Sequence, residues 1–218
     1  MKRSLKFRFF VSCFIFPVLC SLVSMPSRAA AAAGGAAAGK VRIEVFFEAM
    51  DGPGWQLFFL GDAVRKRLPG VELGIYPLLA KNDKGEWEAK RGQPEIDESM
   101  RIAAMAKFYG DKLPLYLNAR SLSPWAEGWR DAAVFCGISP EELEAKASRF
   151  GPALMEAVYA RAQKAGVTAA AVLINGAPYE GGPRLLALFE AVNDKLPAAK
   201  RVAMPKTAAA PSPAKAKG

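Results

Sequence analysis

The chain has 218 residues, with 30 Lys and Arg against 21 Asp and Glu, three Cys and no His. Without histidine it can form no Ser-His-Asp or Cys-His catalytic set, no His-ligated metal site and no His general base, and three cysteines exclude a four-thiolate zinc site. The excess positive charge sits at the ends: residues 1–29 and 198–218 each carry five bases and no acid, leaving 20 bases against all 21 acids between them. A near-neutral middle gives no sign of a nucleic-acid-binding surface.

Residues 1–29 read as a secretory signal. Met1–Arg8 is basic, Phe9–Met25 is apolar apart from a break at Pro17, and Ser27-Arg28-Ala29 offers small residues where a signal peptidase reads. A retained membrane anchor is the rival reading, although the apolar run is short of the ~20 residues that a spanning helix needs. Residues 30–40 form an Ala/Gly linker. The tail 198–218, rich in Ala, Lys and Pro, is expected to be a disordered basic tether. Cys13 and Cys20 would leave with the signal, so an exported chain keeps Cys136 alone and has no internal disulfide.

The folded part is expected over 41–197. Val41, Ile43, Val45 and Phe47 alternate with residues that include Arg42 and Glu44, which predicts a strand entering the Asp51-Gly52-Pro53-Gly54 turn. Leu57, Leu60, Val64 and Leu68 predict a helix over about 54–68, stopped by Pro69-Gly70. Val71, Leu73 and Ile75 predict a second strand, and strand-helix-strand over this length implies a parallel βαβ unit.

Residues 81–93 read as a polar connection, and a helical block follows over about 95–165. Asp97–Tyr109 is one predicted helix. Ser123-Pro124 opens a second, with Trp125, Trp129, Ala132 and Cys136 on one stripe. Ser139-Pro140-Glu141-Glu142 opens a third with a capping box in which Glu142 reaches back. Gly151-Pro152 starts a fourth, which ends at Gly166. Ala169–Ile174 is then an apolar strand, Asn175-Gly176 a hairpin turn, Pro178–Glu180 a short return strand, and 183–194 a final helix with Leu185, Leu186, Phe189 and Val192 facing the sheet.

This order, with Val45-Phe46-Phe47-Glu48-Ala49-Met50 before a Pro-containing turn and Val172-Leu173-Ile174-Asn175-Gly176 followed by Tyr179 and Gly181, resembles the DsbA-like branch of the thioredoxin fold over about Val41 to Leu196. The fold class implied is α/β, β-α-β then β-β-α, with the helical block inserted between the halves. In that family the turn after the first strand carries Cys-x-x-Cys; the matching positions here are Asp51 and Gly54, flanking Gly52-Pro53. The family also places a cis-proline at the position that here is Ala170, beside Ala169. A cis bond before alanine would cost ~2.5–4 kcal/mol, so a trans peptide and a reshaped loop are expected.

The resemblance therefore implies an exported protein that has lost disulfide chemistry and binds a peptide or protein partner in the cell envelope. The groove positions expected are Asp51, Gly52, Pro53, Gly54, Trp55, Ala169 and Ala170. Asp51 reads either as a helix-start residue or as an acceptor for a partner's backbone or cation. Trp55 reads either as groove lining or as core. Two rival functions remain: thiol chemistry through Cys136 with an external thiol, and a structural part of an envelope complex held by the chain ends. The Cys136 stripe points the thiol at apolar neighbours, where it is inert. Phe108, Tyr109 and Tyr116, near Lys107 and Lys112, read as packing, and Glu141, Glu142 and Glu144 as helix-start acids. No cofactor and no metal are expected.

Overall fold

A computed structural model describes residues 40–203. The stretch expected to be a signal, the expected linker before Lys40 and the tail beyond Ala203 lie outside the described residues.

The chain opens as the predicted βαβ unit: β1 (Val41–Glu48), α1 (Gly52–Arg67) and β2 (Val71–Leu78). β1 and β2 are parallel, with Val41 opposite Val71 and Glu48 opposite Leu78. The connection read as merely polar folds into a small hairpin, β3 (Ala80–Lys81) with β4 (Trp87–Glu88). Asn82 closes it: its Oδ1 accepts the N–H groups of Lys84 and Glu86, each at 3.0 Å. Such side-chain-closed turns compete well in short polar segments.

Four helices follow: α2 (Gln93–Phe108), α3 (Leu113–Leu122), α4 (Gly128–Phe135) and α5 (Pro140–Ala165). Three sequence expectations change here. α2 starts four residues earlier than predicted, because Gly92 takes a positive φ and Pro94 suits a first turn. α3 is a helix with no counterpart among the expected elements, and Ser123 closes it instead of opening the next helix; Trp125 lies exposed in the loop while Trp129, Ala132 and Cys136 are buried. The predicted third and fourth helices are one, with Pro152 inside. Proline there forfeits a backbone hydrogen bond. Gly151 beside it lets α5 lie directly on α2, since a Cβ at that position would stand 2.7 Å from Met100 Cβ. The Gly-Pro pair marks a helix crossing.

The Ser139 hydroxyl does accept the Glu142 N–H, at 3.3 Å. The Glu142 carboxylate takes no part in the cap; it accepts hydrogen bonds from the Tyr109 hydroxyl at 2.6 Å and Lys146 at 2.7 Å. Inside the block, buried Glu98 accepts Arg120 Nε at 2.9 Å and the Tyr116 hydroxyl at 3.1 Å, tying α2 to α3. Tyr116 is thus packing, as expected, and burial pushes its hydroxyl pKa well up.

β5 (Ala171–Ile174) and β6 (Ala177–Pro178) then form the hairpin, with Asn175 and Gly176 both at positive φ. β5 is shorter than predicted, because its pairing with β1 stops at Ala171 opposite Phe46. The sheet order is β2-β1-β5-β6. α6 (Leu185–Asn193) packs with α1 over the face bearing Ile43 and Val45, burying Phe189 and Val192 as expected, whereas Leu186 turns outward and is exposed. α5 covers the other face, where Phe46, Leu173 and Ala162 cluster, so β1 is buried on both sides. The start of the tail is ordered rather than loose: Arg201 donates to the carbonyls of Leu196 and Asp194, at 3.0 and 2.9 Å, and Asn193 brackets Val202 with two hydrogen bonds.

Candidate functional site

Asp51 is the N-cap of α1. Its extended backbone ends the turn after β1, and its carboxylate accepts the Gly54 N–H at 3.3 Å. The side chain is about 29% exposed. Gly52 and Pro53 are exposed, with nothing within 4 Å of a Cβ placed on Gly52. Gly54 is different: its own Cβ would stand 2.6 Å from Phe47 Cβ. The first turn of α1 lies so close to β1 that only glycine fits there unless Phe47 moves.

Trp55 is core. It is 4% exposed, and its Nε1–H donates to the Ala49 carbonyl at 3.1 Å. It therefore fixes the turn from below and lines no surface. Arg120 lies under the same ring, its guanidinium carbon 5.9 Å from the centroid, which docks the helical block against α1.

Residues that the sequence reading passed over hold this turn from outside. Glu95, in the first turn of α2 and 1% exposed, accepts the Met50 N–H at 3.4 Å through one oxygen and the Arg91 N–H at 3.0 Å through the other. The Arg91 guanidinium stands 3.6 Å from Glu95 and 3.9 Å from Asp51. Lys90 pairs with Glu48 at 2.5 Å, and that hydrogen bond raises the Lys90 pKa. The only sequence signal was an acid after Pro94 at a helix start, which says nothing of a partner 45 residues upstream.

A cleft of about 390 Å³ opens beside these residues. The ends of β1 and β2, the β3–β4 hairpin, the last turns of α5 and Thr168 bound it, with Leu79, Ala162 and Val167 supplying apolar lining. Lys81 sits on its wall, 2.6 Å from Glu156 and over the rings of Trp87 and Tyr159 at 4.5 and 5.3 Å. None of the seven positions expected from the sequence lines this cleft; its contacts with the turn run through Glu48 and Glu95.

Ala169 and Ala170 are exposed in the bend before β5. Because Ala171 lies opposite Phe46, this bend leaves the sheet at the same end as Glu48 and the start of α1. The peptide before Ala170 is trans, as expected. Among the described residues, the backbone groups of Thr168, Ala169 and Ala170 have no hydrogen-bond partner outside the β5 ladder. The two halves of the expected groove thus share one end of the sheet, with free backbone on one side and a carboxylate-capped helix on the other.

Cys136, the only thiol among the described residues, caps the C-terminus of α4 inside the helical block. It is 6% exposed, and burial pushes its pKa up against a smaller opposing pull from Lys112. Among the described residues no helix is long and apolar enough to cross a membrane, and no group of three or more Cys, Asp or Glu could hold a metal ion.

No protein-family model and no curated protein sequence matches the chain. Solved structures do. A thioredoxin-like oxidoreductase from Silicibacter pomeroyi DSS-3 superposes with TM-score 0.55 at 19% identity, over 72% of this chain and 86% of that one. A single-site variant of Pseudomonas aeruginosa DsbA gives 0.54 at 14% identity, over 72% and 86%. Oxidised BdbD from Bacillus subtilis gives 0.55 at 12% identity, over 72% and 88%. Likeness at these identities establishes architecture and not activity, and the architecture is the DsbA-like thioredoxin fold.

Proposed function

We propose that this chain is an exported, redox-inactive relative of the DsbA-like oxidoreductases that binds a peptide or protein partner in the cell envelope. The observation that carries the reading is at the start of α1. The position matching the first family cysteine holds a carboxylate already engaged as a helix cap, and the position matching the second is packed against Phe47. Disulfide exchange needs a thiolate to attack and a second thiol to resolve the mixed disulfide. Asp51 and Gly54 provide neither, and Cys136 is buried in another part of the fold with its thiolate disfavoured.

Binding does not need the sulfurs. The free backbone of Thr168–Ala170 can pair with an extended peptide, as exposed strand edges do. The adjoining cleft offers an apolar floor for one side chain and a rim whose charges are already matched, Lys90 with Glu48 and Lys81 with Glu156. The basic, apolar, small-residue order of 1–29 supports export, and a retained N-terminal segment would tether the domain to the membrane.

A photo-crosslinking residue at Ala169 tests this. The expected result is capture of a defined envelope protein from 169 but not from a control at exposed Leu186 on α6, with no insulin reduction by the purified protein. Equal capture from both positions, or insulin-reducing turnover, overturns the reading.

A further inference from the structure

The two terminal strands of the sheet are built very differently. β6 is two residues long and contains Pro178, which blunts that edge. β2 is eight residues long, pairs among the described residues only with β1, and has no proline before Pro77. Among the described residues nothing pairs with the backbone groups of Val71–Tyr76 that face away from β1. An edge of this length left unguarded is a template for another strand.

The edge also has a trough beside it. A groove of about 700 Å³ follows Val71–Ile75, with Phe58 and Arg65 of α1 on one side and Asp111, Leu113 and Pro114, from the turn into α3, on the other. It lies toward the start of β2, whereas the Asp51 turn and the 168–170 bend lie at the ends of β1 and β2. The two sites are therefore separate.

The charges in the groove point to one kind of occupant. Arg65 is held by Asp62 at 2.7 Å, Arg42 by the Tyr76 hydroxyl at 2.6 Å, and Glu72 by Lys40 at 2.6 Å. Asp111 is exposed and, among the described residues, has neither hydrogen bond nor ion pair. A second copy of the chain would bring the same paired groups and another Asp111. Of the chain's own segments outside the described residues, Ala29–Gly39 carries no charge and its Ala and Gly composition suits a strand poorly, while 204–218 carries lysines but also Pro205, Pro211 and Pro213, which cannot donate to a ladder. We infer that the outer edge of β2 is a docking site for an extended segment of a partner protein, added as a fifth strand, with apolar side chains at alternate positions and a Lys or Arg placed to meet Asp111.

The test uses the full chain and a fluorescein-labelled peptide, Gly-Lys-Val-Thr-Val-Thr-Val-Thr-Gly-Gly. The expected result is saturable binding by anisotropy, slowed amide exchange within residues 71–76, and roughly five- to ten-fold weaker binding for Asp111→Lys or for the peptide with Glu in place of Lys. Asp111→Glu should bind like the parent, which shows that the loss comes from charge. Five outcomes would overturn the inference: no binding; binding indifferent to Asp111→Lys; protection at 168–170 in place of 71–76; a concentration-dependent dimer of the free chain that protects 71–76; and protection of 71–76 in the free chain that disappears when 29–39 is deleted. Photo-crosslinking at Ala169 reads the other end of the sheet, so either site can fail while the other stands.

Discussion

Arg161 holds Glu44 through both carboxylate oxygens, Nε to Oε1 at 2.8 Å and Nη2 to Oε2, and so joins the last turns of α5 to the middle of β1. Glu44 is buried on a strand whose neighbours are Ile43 and Val45. Burial alone would raise its pKa, but the Arg161 hydrogen bond and charge, with the charge of Arg42, outweigh it and hold the pKa below the usual 4.5. Arg161→Ala should destabilise the fold toward the low end of the ~3–5 kcal/mol lost when a buried pair is broken, since Arg161 is partly exposed and Arg42 remains. The pH dependence should change sign. In the parent, the contribution of Glu44 is complete above its unfolded pKa and is lost as pH falls through the folded value. In Arg161→Ala, burial dominates, the folded pKa rises, and Glu44 costs stability as pH climbs from 4 to 7. Denaturant midpoints across that range check both slopes.

Glu95 gives the second prediction. It satisfies two backbone N–H groups and holds Arg91 near Asp51, so it sets the shape of the turn that leads into α1. Glu95→Ala leaves both N–H groups unpaired and should cost about 1–3 kcal/mol. Glu95→Gln keeps an acceptor and should cost less. Amide exchange at Met50 and Arg91 should accelerate in the alanine variant ahead of the rest of the sheet, which separates a loosened turn from general destabilisation.

The strands, the first helix and the Asn-Gly hairpin were readable because local pattern and tertiary context agree there. Val41–Phe47 alternates and Asn175-Gly176 adopts the backbone its residues favour. The failures came where a distant partner overrides the local signal. Gly151-Pro152 reads as a helix start until Met100 of α2 is seen beneath Gly151. Glu44 reads only as a charged residue on the strand's second face until α5 supplies Arg161. At the site, the Asp51 cap follows from residue type alone. Glu95, Arg91 and the cleft do not, because they arise where residues 78–95 meet the end of α5 and the turn after β1.

Cys136 gives the third prediction. The sequence stripe already placed it among apolar neighbours, and the fold buries it beside Trp129 and Ala132 in the main core. A maleimide probe at neutral pH should leave Cys136 unmodified in the folded protein and label it fully in guanidinium, because the reactive species is the thiolate and burial disfavours it. Rapid labelling of the native protein would reinstate thiol chemistry as a rival to partner binding.

Gly52 and Gly54, two residues apart, should respond differently to the same substitution. Gly52→Ala adds a methyl where nothing lies within 4 Å and should change stability by no more than about 0.5 kcal/mol. Gly54→Ala forces a methyl to within 2.6 Å of Phe47 Cβ, so α1 or β1 must shift, at a cost of about 1–3 kcal/mol. Asp51→Ala removes the cap and should cost ~0.5–2 kcal/mol, while Asp51→Asn keeps an acceptor and should cost a few tenths. The ordering bears on function. Because a side chain at 54 would press on Phe47, placing cysteines at both 51 and 54 should yield a less stable protein even when a disulfide forms. Equal stability of Gly52→Ala and Gly54→Ala in denaturant titrations would mean that position 54 admits a side chain, and that a cysteine could be placed there without disturbing Phe47.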